Sequence, residues 1–346
     1  MSVMLDEIRQ QPEVLRRLAS RRRAFRDAAD EIRRGSPQLF RFVAHGSSDN
    51  AATFGTYALG LLARVTAMRE SISLAIYYRA ALAGPESCVL ALSQSGRTPD
   101  VVSYVEAAAA RGVRAVAVTN DASSPLAEAA HVVLPLDAGP ERAVAATKTY
   151  TAQVACLALL AAALAGRTEE VADALAATAD LLEQWLPELE RQVAPLAQHF
   201  ADVSRMVVVG RGLEYATARE VALKLFETCR IAAAPLTTTD LAHGPVAALD
   251  HTFPVFAVAA DDATLPTVVE AVTRAREADA VVVATGAGAA SIGLADVAIV
   301  PPRPPLQLLD PLFSIVPGQL LAWNLARAKG LDPDRPSHLT KVTLAP

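Results

Sequence analysis

The sequence has few features that could crosslink it covalently or hold it in a membrane. Only three cysteines occur in 346 residues, Cys88, Cys156 and Cys229. They have neither metal-ligand nor redox spacing and each lies in an apolar run, so a reduced, cytoplasmic chain is expected. The most apolar window, "TAQVACLALLAAALAG" (151–166), is shorter than the roughly 20 residues a membrane span needs, and reads as a buried helix. The first residues, "MSVMLDEIRQQPEVL", are charged and lack the apolar core of a signal peptide. No basic block suits a polyanion. The richest run, "RRLASRRRAFR" (16–26), lies among acids on a helical pattern, and the whole chain carries a formal charge of −5. Nucleic acid and membrane are therefore excluded as partners. No cluster of histidine, cysteine and carboxylate has metal-ligand spacing, and the "GRG" at 210–212 is too short for a dinucleotide fingerprint, so neither metal nor cofactor is expected.

Aromatics are scarce, at 5%, and alanine, valine and leucine carry the apolar half of the chain. That composition suits helices packed on buried parallel sheets. Short apolar runs alternate with longer segments of helical period. "LFRFVAH", "SCVLAL", "RAVAVTN" and "HVVLPL" supply four strands, and "SRMVVVG", "FPVFAVAA", "AVVVATG" and "DVAIVPP" repeat them in the same order. Two copies of one α/β unit, offset by roughly 160 residues, account for the length. The expected organisation is an N-terminal helix (1–35), a first subdomain (36–166), a helical linker (167–196), a second subdomain (197–330) and a tail (331–346).

Chemistry is expected at the carboxyl ends of the strands, where the copies differ. In the first copy "SQSGRT" follows the second strand, with Ser93, Ser95 and Thr98 as hydroxyl donors beside Gln94 and a glycine. Small residues at a helix start expose backbone N–H groups, a combination suited to a phosphate monoester, although a plain capped βα turn reads the same way. The corresponding turn of the second copy, "AADDAT", would repel a phosphate dianion through Asp261 and Asp262. Ser47 and Ser48 of "AHGSSDN" are either a helix cap or ligand contacts. "AVAATKTY" (143–150) leaves the same choice for its Thr-Lys pair.

The second copy holds the acid–base candidates. Lys224 and Glu227 share a helix face, as a surface salt bridge or, given the apolar "VALKLFE", as partly buried charges near the sheet mouth. His243 precedes the rigid Gly244-Pro245. The tail "PDRPSHLTKVTLAP" contains Lys341 and reads either as a disordered terminus or as a segment that docks and closes over a ligand.

In this order, "GSSDN", "SQSGRTPD", "AVAATKTY", "ALKLFE", "HGP" and "PSHLTK" resemble the SIS (sugar isomerase) proteins, in particular the isomerase half of glucosamine-6-phosphate synthase. The resemblance covers nearly the whole chain and is nearest to the stand-alone SIS-type glucosamine-6-phosphate deaminases. It implies two tandem α/β subdomains, each a parallel sheet flanked by helices in three αβα layers, flavodoxin-like, in a homodimer with shared active sites. Ser47, Ser48, Ser93, Gln94, Ser95 and Thr98 would hold the phosphate and sugar of a hexosamine or hexose 6-phosphate, with Val144 and Ala146 bordering the sugar. Glu227 would shuttle a proton between C1 and C2 without a metal, and Lys224 would be its helix partner. His243, from a neighbouring subunit, would open the ring, and Lys341 would close on the open-chain sugar.

The glutaminase half of the synthase is missing, so amino-sugar breakdown to fructose 6-phosphate and ammonia is expected in place of synthesis. The family's acidic residue and lysine between Glu227 and His243 are replaced, with Ala234 and Ala242 in that stretch. An aldose–ketose isomerase, a fructosamine-type 6-phosphate deglycase and a non-catalytic sugar-phosphate sensor are the alternatives.

Overall fold

The computed structural model describes residues 2–80, 84 and 86–341. Three helices come first, α1 (Val3–Arg9), α2 (Gln11–Ser20) and α3 (Arg22–Arg34), where the sequence suggested one. The chain then runs β1 (Leu39–Val43), α4 (Gly46–Ala58), β2 (Thr66–Arg69), α5 (Ile72–Ile76), β3 (Ser87–Leu92), α6 (Pro99–Ala109), β4 (Arg114–Thr119), α7 (Pro125–Ala129), β5 (Val132–Pro135) and α8 (Lys148–Leu164). A long helix, α9 (Thr168–His199), precedes the second series: β6 (Arg205–Gly210), α10 (Glu214–Cys229), β7 (Ala232–Leu236), α11 (Thr238–Ala242), β8 (Val255–Val258), α12 (Leu265–Glu277), β9 (Val282–Thr285), β10 (Val297–Ile299) and α13 (Pro311–Ala328).

Two compact units result. The first comprises Glu13–Glu141, Lys148–Ala176 and the tail from Thr340; the second comprises the residues up to Pro12, Arg142–Thr147 and Ala177–Leu339. Each carries a five-stranded, all-parallel sheet, in the orders β2-β1-β3-β4-β5 and β7-β6-β8-β9-β10. The topology is the same in both, and it is the flavodoxin-like order.

In the first unit every residue of β3 is buried, as a strand covered on both faces must be. Val43, Val89 and Ala117 pack with Val101, Tyr104 and Val105 of α6. On the other face Gly55 of α4 lets that helix close on Phe42 and Leu157, because a Cβ there would lie 2.5 Å from the Phe42 ring. All but the last two residues of the apolar window 151–166 fall in α8, which is buried nearly all round. In the second unit Val207, Val255 and Val282 pack under Val268 and Val272 of α12.

Two strands escaped the sequence reading, β2 and β7, which hold the same edge place in the two sheets. "TAMR" is mostly exposed and "AAAPL" is an alanine strand with a proline, so neither shows the apolar run of a covered strand. Among the described residues no helix is long and apolar enough to cross a membrane.

Candidate functional site

The sheet of the first unit reverses its order between β1 and β3, since the chain leaves β1 toward β2 and β3 toward β4. Turns at the carboxyl edge splay apart at such a point and leave a crevice. The two serine turns lie there. After β3, Ser93 is 4% exposed, and its hydroxyl lies 3.0 Å from that of Thr98 while accepting the Gly96 N–H at 3.2 Å. The Ser95 hydroxyl accepts the Arg97 N–H. Gly96 has φ +64°, and a Cβ on it would fall 2.0 Å from the Ser124 hydroxyl, so the turn demands glycine twice over. Thr98 is the N-cap residue of α6, with Pro99 at the first helical position, and its side chain makes no capping bond. Its hydroxyl thus remains turned to Ser93 in the turn. Gln94 and Ser95 are half-buried.

After β1 neither serine of the pair is the N-cap residue. His45 is the N-cap residue of α4, without a side-chain bond, and Ser47 and Ser48 lie inside the helix. Ser48 accepts a hydrogen bond from the Gln153 amide at 2.9 Å. His45 Nε2 lies 3.8 Å from Asp100 at the start of α6, so the two helix starts face each other. Arg97 pairs with Asp121 at 3.0 Å and brings a guanidinium to the same edge. The Ser123 hydroxyl and N–H, then Arg97, hold the Asp121 carboxyl below its ordinary range.

The tail returns to this unit. Lys341 Nζ lies 2.6 Å from Oε2 of Glu141, whose side chain is fully buried. Glu141 also accepts the Thr149 N–H at 3.1 Å and its hydroxyl at 2.6 Å. Lys148, in the Thr-Lys pair, is 2% exposed and donates to the Pro140 carbonyl at 2.7 Å, so it fastens the chain before α8. Residues 342–346 lie outside the described residues.

In the second unit the Lys224–Glu227 pair is no surface bridge. Lys224 is fully buried, 2.6 Å from Glu227 and 3.3 Å from the fully buried Glu220. Burial alone would push the ammonium down, but Glu220 and then Glu227 outweigh it and hold Lys224 above its ordinary range. The Glu227 side chain keeps 23% of its surface exposed. The expectation that this pair sits near the sheet mouth needs correction. It occupies the last turns of α10, about 15–20 Å along the axis from Glu214, where the helix leaves the mouth.

At that mouth stands an acidic group instead. Asp262 accepts the N–H and hydroxyl of Thr264, and Asp261 pairs with Arg303. Glu214 is fully buried beneath the hydroxyls of Thr217 and Ser314. His243 ends α11 and is exposed, without a side-chain hydrogen bond among the described residues. Val144 and Ala146 lie in an irregular strip and are half-buried, alternating with the buried Ala143 and Ala145.

The sequence profile of the SIS domain matches residues 40–163 and 199–326, one stretch in each sheet-bearing half of the chain. The chain belongs to the SIS family. The isomerizing glutamine–fructose-6-phosphate aminotransferase of Thermococcus kodakarensis is 33% identical over 347 residues, covering 98% of this chain. This SIS chain spans 57% of that relative. The C-terminal domain of the glucosamine–fructose-6-phosphate aminotransferase of Francisella tularensis superposes with a TM-score of 0.86 at 25% identity, covering 97% of this chain and 98% of that one. A glucosamine-6-phosphate deaminase of Thermotoga maritima shares the fold, with a TM-score of 0.79 at 20% identity and 99% and 100% coverage.

Sequence reasoning missed Glu220 and Glu141, the buried partners of the two candidate lysines. A signal existed. The chain has only four lysines among its 32 basic residues. Each meets a carbonyl or carboxylate: Lys148 on Pro140, Lys224 on Glu220 and Glu227, Lys329 on Val203, and Lys341 on Glu141. Among the described residues, no group of three or more histidine, cysteine or carboxylate side chains could hold a metal ion.

Proposed function

We propose that this SIS protein is a metal-independent glucosamine-6-phosphate deaminase. The β3 turn anchors the phosphate through Ser93, Ser95 and Thr98, with Gln94, Ser47 and Ser48 on the sugar side. His243 opens the ring, working in the neighbouring subunit of a homodimer, a role its exposed position suits. Glu227 takes the proton from C2 and returns it at C1 through an enolamine. The resulting ketimine hydrolyses, releasing ammonia and fructose 6-phosphate. Lys341 closes on the open-chain sugar, and Val144 and Ala146 border it.

The observation that carries this reading is the end of α10. A partly exposed carboxylate stands 2.6 Å from an ammonium that is itself locked in the interior by a second carboxylate. A sensor has no need of a buried charge pair behind an open carboxylate, whereas a base must be held in one orientation against the proton it moves. Three buried, unpaired cysteines support a reduced, cytoplasmic setting.

The test is incubation with glucosamine 6-phosphate, following ammonia and fructose 6-phosphate together. Both are expected in equal amounts. The Glu227→Gln variant is expected to bind the sugar phosphate as tightly but to turn over about 10²–10⁴-fold more slowly. Full turnover by that variant removes Glu227 from the role. A deglycase is the second reading, favoured by Phe226, which is 62% exposed beside Glu227 and offers an apolar surface to a substituent on the amine. Ammonia without turnover of a glycated amine decides against it. Interconversion of hexose 6-phosphates without ammonia decides for an isomerase.

A further inference from the structure

Residues 142–147 have no strand or helix to satisfy their backbone, and polar groups in the interior need partners. The partners come from the first helix and the root of the tail. Glu7 of α1 is 3% exposed, and its carboxylate accepts the N–H groups of Arg142 and of Ala143, the latter at 3.2 Å. The next N–H, of Val144, donates to the Asp334 carbonyl at 3.3 Å. At the far end of the strip the Gln319 amide donates to the Thr147 carbonyl at 3.4 Å, and Gln319 is in turn held by Gln11 at 2.9 Å. Asp334 closes the circuit. Its carboxylate accepts the Ser2 hydroxyl at 2.8 Å and the N–H groups of Val3 and Met4 at 2.9 and 2.7 Å.

The geometry points to Glu7 as a positioning residue for the sugar end of the site, with Asp334 as its counterpart at the root of the tail. The Arg142 N–H belongs to the peptide that follows Glu141, so Glu7 fixes the backbone of the carboxylate on which Lys341 rests. One short helix therefore sets both the strip that carries Val144 and Ala146 and the dock of the tail lysine. A carboxylate suits the task because it accepts two N–H groups at once and charge-assisted bonds are the strong ones. The catalytic consequence rests on the reading that the strip and Lys341 face the sugar; the clamp itself does not.

The test compares Glu7→Gln with the parent chain in three measurements. Hydrogen exchange at Arg142 and Ala143 is expected to rise about tenfold while exchange in β3 and β8 stays as it was. Acetylation of Lys341 in the absence of substrate, read by mass spectrometry against the other three lysines, is expected to rise with it. With glucosamine 6-phosphate, kcat is expected to fall about tenfold and KM to stay within about threefold, since the phosphate anchor is untouched. Asp334→Asn, at a half-buried position, is expected to raise exchange at Val144 and the labelling of Lys341. Unchanged exchange and labelling in both variants overturn the proposal, as does exchange raised equally throughout both sheets, which marks Glu7 as a general support of the fold. If the parent chain turns over no phosphosugar, the functional reading fails, while exchange and labelling still decide for or against the clamp.

Discussion

The turn after β3 and the turn after β8 hold the same place in two sheets of the same order, yet one is lined by hydroxyls and the other by carboxylates. The first offers N–H groups, the Ser93 and Thr98 hydroxyls and a nearby guanidinium. The second offers Asp261 and Asp262, with the buried Asp310 and Glu214 behind them. A dianion that settles on the first edge is repelled at the second. The Lys224–Glu227 pair of the second unit lies elsewhere, at the far end of α10. Duplication of one α/β unit thus leaves one copy with a hydroxyl-lined turn and the other with a buried charge triad. The difference lies in side chains at a few turns, since the backbone order is unchanged.

The sharpest way to break the comparison is to remove the ammonium of the triad. Lys224→Met removes the ammonium that lies 3.3 Å from the buried Glu220, and loss of one partner of a buried pair costs about 3–5 kcal/mol. Urea unfolding of this variant is expected to show a loss of that size. A loss under about 1 kcal/mol means that the pair behaves as a surface bridge. The next test moves the charge of one mouth into the other. Ser95→Asp keeps an acceptor for the Arg97 N–H, so the turn survives, but sets a carboxylate where the phosphate would rest. Hexose 6-phosphate affinity, measured by calorimetry, is expected to fall about 100-fold, worth close to 2.7 kcal/mol, with little change in melting temperature. Unaltered affinity would place the phosphate away from this turn.

The covered strands were legible because a parallel strand between two helical layers is apolar throughout, as "SCVLAL" and "RMVVVG" are. The edge strands β2 and β7 were not, because half of their surface faces solvent and their pattern matches that of a loop. The serine turn was legible as a polar βα turn from residue type, but residue type alone left open whether it caps a helix or meets a ligand. What the sequence could not show was depth. Lys224 and Glu227 at three-residue spacing look the same on a surface as in an interior, and Glu220, one turn earlier, is what makes the interior tolerable. Glu141 and Glu7 were hidden for another reason. Their partners are 200 and 135 residues away, Lys341 and the Arg142 backbone, and no local pattern marks a carboxylate as waiting for a distant N–H.

The smallest expected effect concerns the acidic mouth alone. Burial, opposed in part by the hydroxyls of Thr217 and Ser314 and aided by Asp310 and Asp262, pushes Glu214 up to about 7. Burial and then Asp262 push Asp310 up to about 7 as well. The unfolded chain releases these protons near 4.5 and 3.8, so between those values and about 7 the folded state holds protons that the unfolded state has lost. Their contribution to stability is complete below the unfolded values and disappears as the pH rises through about 7. Asp121 and Asp250 act in the opposite sense, held low by hydroxyl and N–H bonds from Ser123 and Thr252, and their contributions are lost only in more acid solution. Urea unfolding between about pH 5 and 8 therefore isolates the mouth, and stability is expected to fall across that window. Glu214→Gln is expected to flatten the fall and, on the proposed reading that the anion binds at the other mouth, to leave hexose 6-phosphate affinity unchanged. A variant that keeps the full slope shows Glu214 ionised in the folded protein, and one that gains sugar-phosphate affinity at its own mouth shows that the second copy had been kept from binding by charge alone.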